Sequence, residues 1–347
     1  MSVFVKTLSD LVALLLEALR LSVLLPASVL VGLNVAFVLP LFKDTRIYHA
    51  LRLDGVDFPL TIIILTAVLI IAYTLAILNI PIIRFFEGYP WLTYPWGKRL
   101  RLSHARRVAY LQSQIEKLDR DIQMWLTRAD QEPDRTEAEK CKEKARRCEL
   151  QRNLFKDELW STYPHHQTWR ILPTRLGNVI AAAEEYSGTL YELDAVVFWP
   201  FLLPILSDEG YAPFMEREKA AFDFLLNMAV VTLFFGAELI YVDVLLSEFN
   251  IWAAGFKLLL IGVVAFCFYL TSIQGALSWG CTIRTAFVLH RHQLREKLGL
   301  CKPDGFYEER NMWRQASRFY RDHDVTPGRY IFDYSPPDKA KASKTKS

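Results

Sequence analysis

PLTIIILTAVLIIAYTLAILNIPII, Pro59 to Ile83, is 25 residues without a charge. About twenty apolar residues of helix cross a hydrocarbon core. Lipid offers the backbone no hydrogen-bond partner, so a segment buried there has to be helical. The stretch therefore predicts a membrane-spanning helix. Arg84 follows at once, and Lys98, Arg99 and Arg101 come soon after. By the positive-inside rule these cations put its C-terminal end at the cytoplasmic face.

Three similar segments accompany it. Leu21–Phe42 is uncharged and contains Asn34, an amide that is costly in lipid and is expected to face another helix. Phe224–Leu245 carries Glu238 and Asp243, and Leu258–Leu277 is again uncharged. The reading is an all-α membrane protein with four transmembrane helices and a helical cytoplasmic domain inserted between spans two and three. The chain then divides into an amphipathic N-terminal helix (1–20), a transmembrane hairpin (21–86), the cytoplasmic domain (87–221), a second transmembrane hairpin (222–283), a cytoplasmic C-terminal helical region (284–335) and a disordered basic tail (336–347). Residues 43–58 and 246–257 become outer loops, and both termini are cytoplasmic. The expected location is the plasma (inner) membrane. The early hydrophobic block is too long, and lacks the small-residue site, for a cleaved signal. No cysteine of the five falls in an outer loop, which predicts reduced thiols.

The inserted domain opens with GYPWLTYPWGKRLR (88–101), whose Tyr89, Trp91, Tyr94 and Trp96 fit the headgroup zone as an anchor. The period then changes. Val108, Leu111, Ile115, Leu118, Ile122 and Trp125 are spaced as a heptad seam. ADQEPDR (129–135) breaks it, and Ala138, Cys141, Ala145, Cys148, Arg152, Phe155 and Leu159 make a second seam. The two predict an antiparallel helical hairpin. Residues 98–175 hold 18 Lys/Arg against 12 Asp/Glu. That excess can serve topology alone, or can attract anionic lipid headgroups, a nucleotide-type signal or an acidic protein.

Residues 171–206 are the densest part. Thr174 can cap a helix that Ser187-Gly188 would end, and the run AVVFWPFLLPIL is too short and broken to span. It reads as an interfacial re-entry or as the core of the cytoplasmic domain. The pattern Arg175-Leu176-Gly177-Asn178, then Ala182-Ala183-Glu184-x-Tyr186, then Tyr191-x-x-Asp194-Ala195-Val196-x-x-Trp199-Pro200 resembles that of uncharacterised prokaryotic four-span membrane proteins. The helix from Ile283 to Leu300 is similar to theirs as well. This likeness implies no established activity. The layout, by topology alone, is similar to bestrophin-type channels and to the pore-forming effectors of bacterial defence systems.

No protease, hydrolase or nucleotide-binding signature is present, so no enzyme, cofactor or metal is expected. Cys141 and Cys148 read as core, and His290, His292 and Glu296 as a solvated face. Arg175, Glu184, Glu185 and Asp194 could form an acid/base group on paper, but such sets are more often ion pairs; with Asn178 they are the candidate cytoplasmic ligand-binding residues. Glu238, Asp243 and Asn34 are the pore or ion-pathway candidates, because intramembrane carboxylates default to function. Four spans enclose too little for a pore, so conduction would need a homo-oligomer. The expectation is an oligomeric ion channel or pore gated through its cytoplasmic domain. The alternative is a membrane-anchored sensor or scaffold that docks a soluble partner.

Overall fold

A computed structural model describes residues 21–42, 58–165, 170–208, 210–246 and 250–322. The expected N-terminal helix, most of the 43–58 loop and the basic tail lie outside these. Among the described residues every regular element is helical: α1 (Leu21–Leu33), α2 (Phe58–Glu87), α3 (Pro95–Gln131), α4 (Arg135–Thr162), α5 (Arg175–Tyr191), α6 (Ala195–Asp208), α7 (Ala212–Leu245), α8 (Ile251–Lys297) and α9 (Phe306–Asp322). The chain forms two compact units, one of residues 1–86 and 216–276, the other of 87–215 and 277–347.

Among the described residues, four segments are long and apolar enough to cross a membrane: Leu21–Phe42 and the helices containing Thr61–Glu87, Ala212–Leu245 and Ile251–Lys297. The first unit is built from the apolar parts of these. Val23, Ala27, Leu30, Ala72, Leu75, Val231, Phe235 and Val242 form its core. Gly275 lets α8 approach α7 closely, since a Cβ there would lie 3.2 Å from the Phe222 Cα. Small residues at such crossings are what membrane helices use to pack. The buried Asn227 donates to the Ser22 carbonyl at 3.1 Å, and Asn79 donates to the buried Asp223 at 3.2 Å.

The second unit begins with a 3₁₀ turn, Tyr89–Thr93, where Trp91 packs on Trp96 and Tyr94 stacks on it. The α3–α4 hairpin follows. Val108, Leu111, Leu118 and Ile122 are buried on α3, as are Cys141, Ala145 and Leu159 on α4. Val108 and Leu111 of α3 pack in one cluster with Leu159 of α4. Asp134 caps α4 by accepting from the Thr136 amide, and the seam's polar Arg152 is answered by Asp119 at 3.0 Å.

The AVVFWPFLLPIL run becomes α6, which leaves α5 at a 90° bend. Its Phe198, Leu202, Ile205 and Leu206 are buried with Phe287, Leu294, Trp313 and Ala316, so the run supplies the core of the second unit. The expected stop of α5 at Ser187-Gly188 is corrected. The Ser187 hydroxyl donates to the Leu193 carbonyl at 2.8 Å, which ties the next turn down and carries the helix to Tyr191. The expected solvated face at His290 is corrected too: the side chain is buried, with Nδ1 2.7 Å from Gln293 Oε1 and the ring against Tyr211.

Candidate functional site

The local sequence fixes α5 firmly. The Thr174 hydroxyl accepts from the Gly177 amide at 3.0 Å and donates to the Glu87 carbonyl at 2.8 Å. Gly177 is needed there, because a Cβ would stand 2.3 Å from that carbonyl oxygen. Asn178 accepts from the Leu172 amide and donates to the carbonyls of Leu172 and Thr174, so both its N–H groups are committed. This clamp sets the direction in which α5 presents Glu184, Glu185, Gly188 and Thr189.

Beyond Tyr191 the backbone turns through Glu192 at φ 61°, a left-handed conformation that a non-glycine residue adopts at a cost. The surroundings hold it there. Arg310 and Arg314 donate to one Glu192 carboxylate oxygen at 3.0 and 3.3 Å, and the Ser317 hydroxyl donates to the Glu192 carbonyl at 3.0 Å. Ser317 also accepts from the Asp194 amide. Asp194 caps α6 through the Val196 amide and pairs with Arg321.

Arg310, Arg314, Arg318 and Arg321 are spaced 4-4-3 along α9 and line one side of a cavity of about 470 Å³. Arg170, Glu184, Glu185, Glu192 and Asp194 line it as well, so five guanidinium groups face four carboxyl groups. The positive charge is not all spent. Arg318 has no ion-pair partner among the described residues, and the buried Arg310 Nε has no acceptor. Glu185 faces Arg170 at 3.4 Å. Burial pushes the Glu184 and Glu185 carboxyls above their ordinary range, against the pull of Arg170. Burial also acts on Glu192, but Arg314 and Arg310 outweigh it and hold that carboxyl low. Together these shifts favour a net positive cavity.

The structure brings Glu184, Glu185 and Asp194 into this cavity but not Arg175 or Asn178. Arg175 is exposed, and its charge adds to burial in lowering the His104 imidazole. Asn34 and Glu238 meet, the amide donating to the carboxylate at 2.9 Å, while Asp243 pairs with Lys257 at 2.6 Å. Sequence reasoning missed Arg170, Ser317 and the whole arginine face of α9. The 4-4-3 spacing was a readable signal for that face.

No family model matches the chain, and no curated protein or solved structure matches it either. The molecule is thus defined by its own features: among the described residues, helices alone, four of them long and apolar enough to cross a membrane, and an arginine-lined cavity in the second unit.

Proposed function

We propose that the protein is an oligomeric channel or pore of the plasma membrane, opened by an anionic, phosphate-bearing ligand that binds the arginine cavity on the cytoplasmic side. The observation that carries this reading is Arg318, without an ion-pair partner among the described residues, beside Arg310, Arg314 and Arg321 in a cavity of nucleotide-accommodating size. Guanidinium groups match phosphate oxygens in shape and charge, and bonds between them are about twice as strong as neutral ones. Ligand contact on α9 has a route to the membrane. Glu309 of α9 accepts from Arg291 of α8 at 3.0 Å, and α8 continues as one helix from Lys297 back to Ile251. No catalytic step is assigned to the site.

The test uses the full-length protein in liposomes, with ATP, a cyclic dinucleotide and citrate as probes. Ligand-evoked ion flux together with saturable binding supports the proposal. Binding without flux favours the second reading, a membrane-anchored sensor or scaffold. That reading has an observation of its own: Leu150 and Leu154, one helical turn apart on the charged α4, are 66% and 63% exposed. Absence of binding by all three probes would remove the ligand-gated reading.

A further inference from the structure

The first unit contains a second cavity, of about 410 Å³, lined by residues of α1, the turns that follow it, α2 and α7. Its walls are apolar side chains such as Leu30, Val38, Ile64 and Phe234, and among the described residues that line it the polar ones are Asn34 and Glu238. A π-helical turn, Asn34–Val38, begins at this point, and such local widenings of a helix recur at functional sites.

The hydrogen bonding there is one-sided. The two N–H groups of the Asn34 amide are used, one on the Leu30 carbonyl at 3.1 Å and one on Glu238 at 2.9 Å. Glu238 accepts that bond from a neutral group, and no cation reaches it among the described residues. Asp243, five residues along the same helix, has Lys257 at 2.6 Å. Of these two carboxylates, Asp243 therefore has a cation from its own chain, while Glu238 has a cavity. What remains open in that cavity is acceptor capacity on Glu238 and on the side-chain oxygen of Asn34, with no free donor among the described residues. Anions and ligands that only accept hydrogen bonds are poorly served there. A carboxylate in an apolar setting is best matched by a cationic donor.

We propose that this cavity binds a lipophilic amine: one protonated amine on an apolar body, with the ammonium at Glu238 and the body along α1 and α2. The volume lies in the range of sites for drug-sized ligands. The amine can come from a membrane lipid headgroup such as phosphatidylethanolamine, or from a free amphiphile that partitions into the bilayer.

The experiment uses full-length protein in phosphatidylcholine nanodiscs, titrated with dodecylamine and, separately, with dodecanol. Dodecylamine is expected to raise the unfolding temperature saturably, and dodecanol is not. E238Q should weaken the dodecylamine effect at least tenfold, and A67W, which fills the cavity with Glu238 left in place, should abolish it. Should E238Q fail to fold, A67W and the alcohol comparison decide. Equal effects of the amine and the alcohol, or an undiminished amine effect in A67W, would overturn the assignment. Adding phosphatidylethanolamine separates the sources: a rightward shift of the dodecylamine titration names the lipid as occupant, and an unmoved titration names the free amphiphile.

Discussion

Arg310 and Glu192 stand 118 positions apart in the chain and meet at 3.0 Å. The carboxylate that accepts this bond belongs to the one non-glycine residue with positive φ among those described. A strained backbone position is thus pinned by the same helix that supplies the arginines of the cavity. Strain held in place at a ligand-sized cavity is a recurrent mark of a functional site.

Arg318→Ala is expected to weaken phosphate-probe binding by roughly tenfold, the worth of one charge-assisted hydrogen bond. The unfolding temperature should stay near wild type, because Arg318 carries no ion pair to lose. Isothermal titration alongside thermal unfolding reads both. A large stability loss with unchanged affinity would assign Arg318 to the fold instead of the ligand.

The carboxyls give the cavity a pH signature. Glu184 and Glu185 titrate above their unfolded value of about 4.3, so the folded state binds more protons and stability falls as pH rises through their folded range. Glu192 has the opposite sign, and its contribution is lost on acidification below that same value. His104, lowered by burial and Arg175, works against the two raised carboxyls over the same fall in pH, so the signature is a difference between chains. From neutral pH into mild acid the wild type should gain stability relative to E184Q/E185Q, and both should share the decline that follows protonation of Glu192.

Leu118 is buried in the α3–α4 seam. Leu118→Asp puts an unpaired charge there and is expected to cost several kcal/mol. Wild-type thermal stability in this variant would mean that the hairpin packs through another face.

Asn178→Ala removes three hydrogen bonds at once and leaves the buried Leu172 amide and carbonyl without that partner. A loss of about 2–4 kcal/mol is expected. Hydrogen exchange should locate the opening at residues 171–178. Exchange unchanged in that segment would show that the clamp is dispensable.

Topology is best tested away from the native thiols of the hairpin, since Cys141 is buried and would resist labelling on either side. Glu143 is exposed on the same helix. In a cysteine-free background Glu143→Cys should be unreactive to an impermeant reagent in intact cells and reactive after permeabilisation. Labelling of intact cells would invert the orientation.

Much of the architecture was readable because its causes are local. Uncharged runs of membrane length, the heptad spacing of Val108 to Ile122 and the cap at Thr174 each depend on residues a few positions apart. The site was half readable for the same reason. Glu184, Glu185 and Asp194 belong to one continuous motif, whereas their counter-charges come from Arg170 on one side and from α9, over a hundred positions away, on the other. Even there the spacing of Arg310, Arg314 and Arg318 put three cations on one helical face. What periodicity could not supply is the partner: nothing local says that Arg314 serves Glu192 or that Arg321 serves Asp194. Asn178 shows the converse limit, as its polar character suggested a ligand while its atoms are spent on the neighbouring backbone.

The Asp243–Lys257 pair bears on how the protein is made. The two residues lie 14 positions apart, one near the end of α7 and the other near the start of α8, and their side chains bond at 2.6 Å. Either charge alone raises the cost of transferring its helix from the insertion machinery into lipid. Joined, they enter as a neutral unit, so α7 and α8 are expected to leave the translocon together as a hairpin. Substituting either partner would then be felt first during biogenesis, as misinserted or degraded chains, before any effect on the mature molecule could be measured.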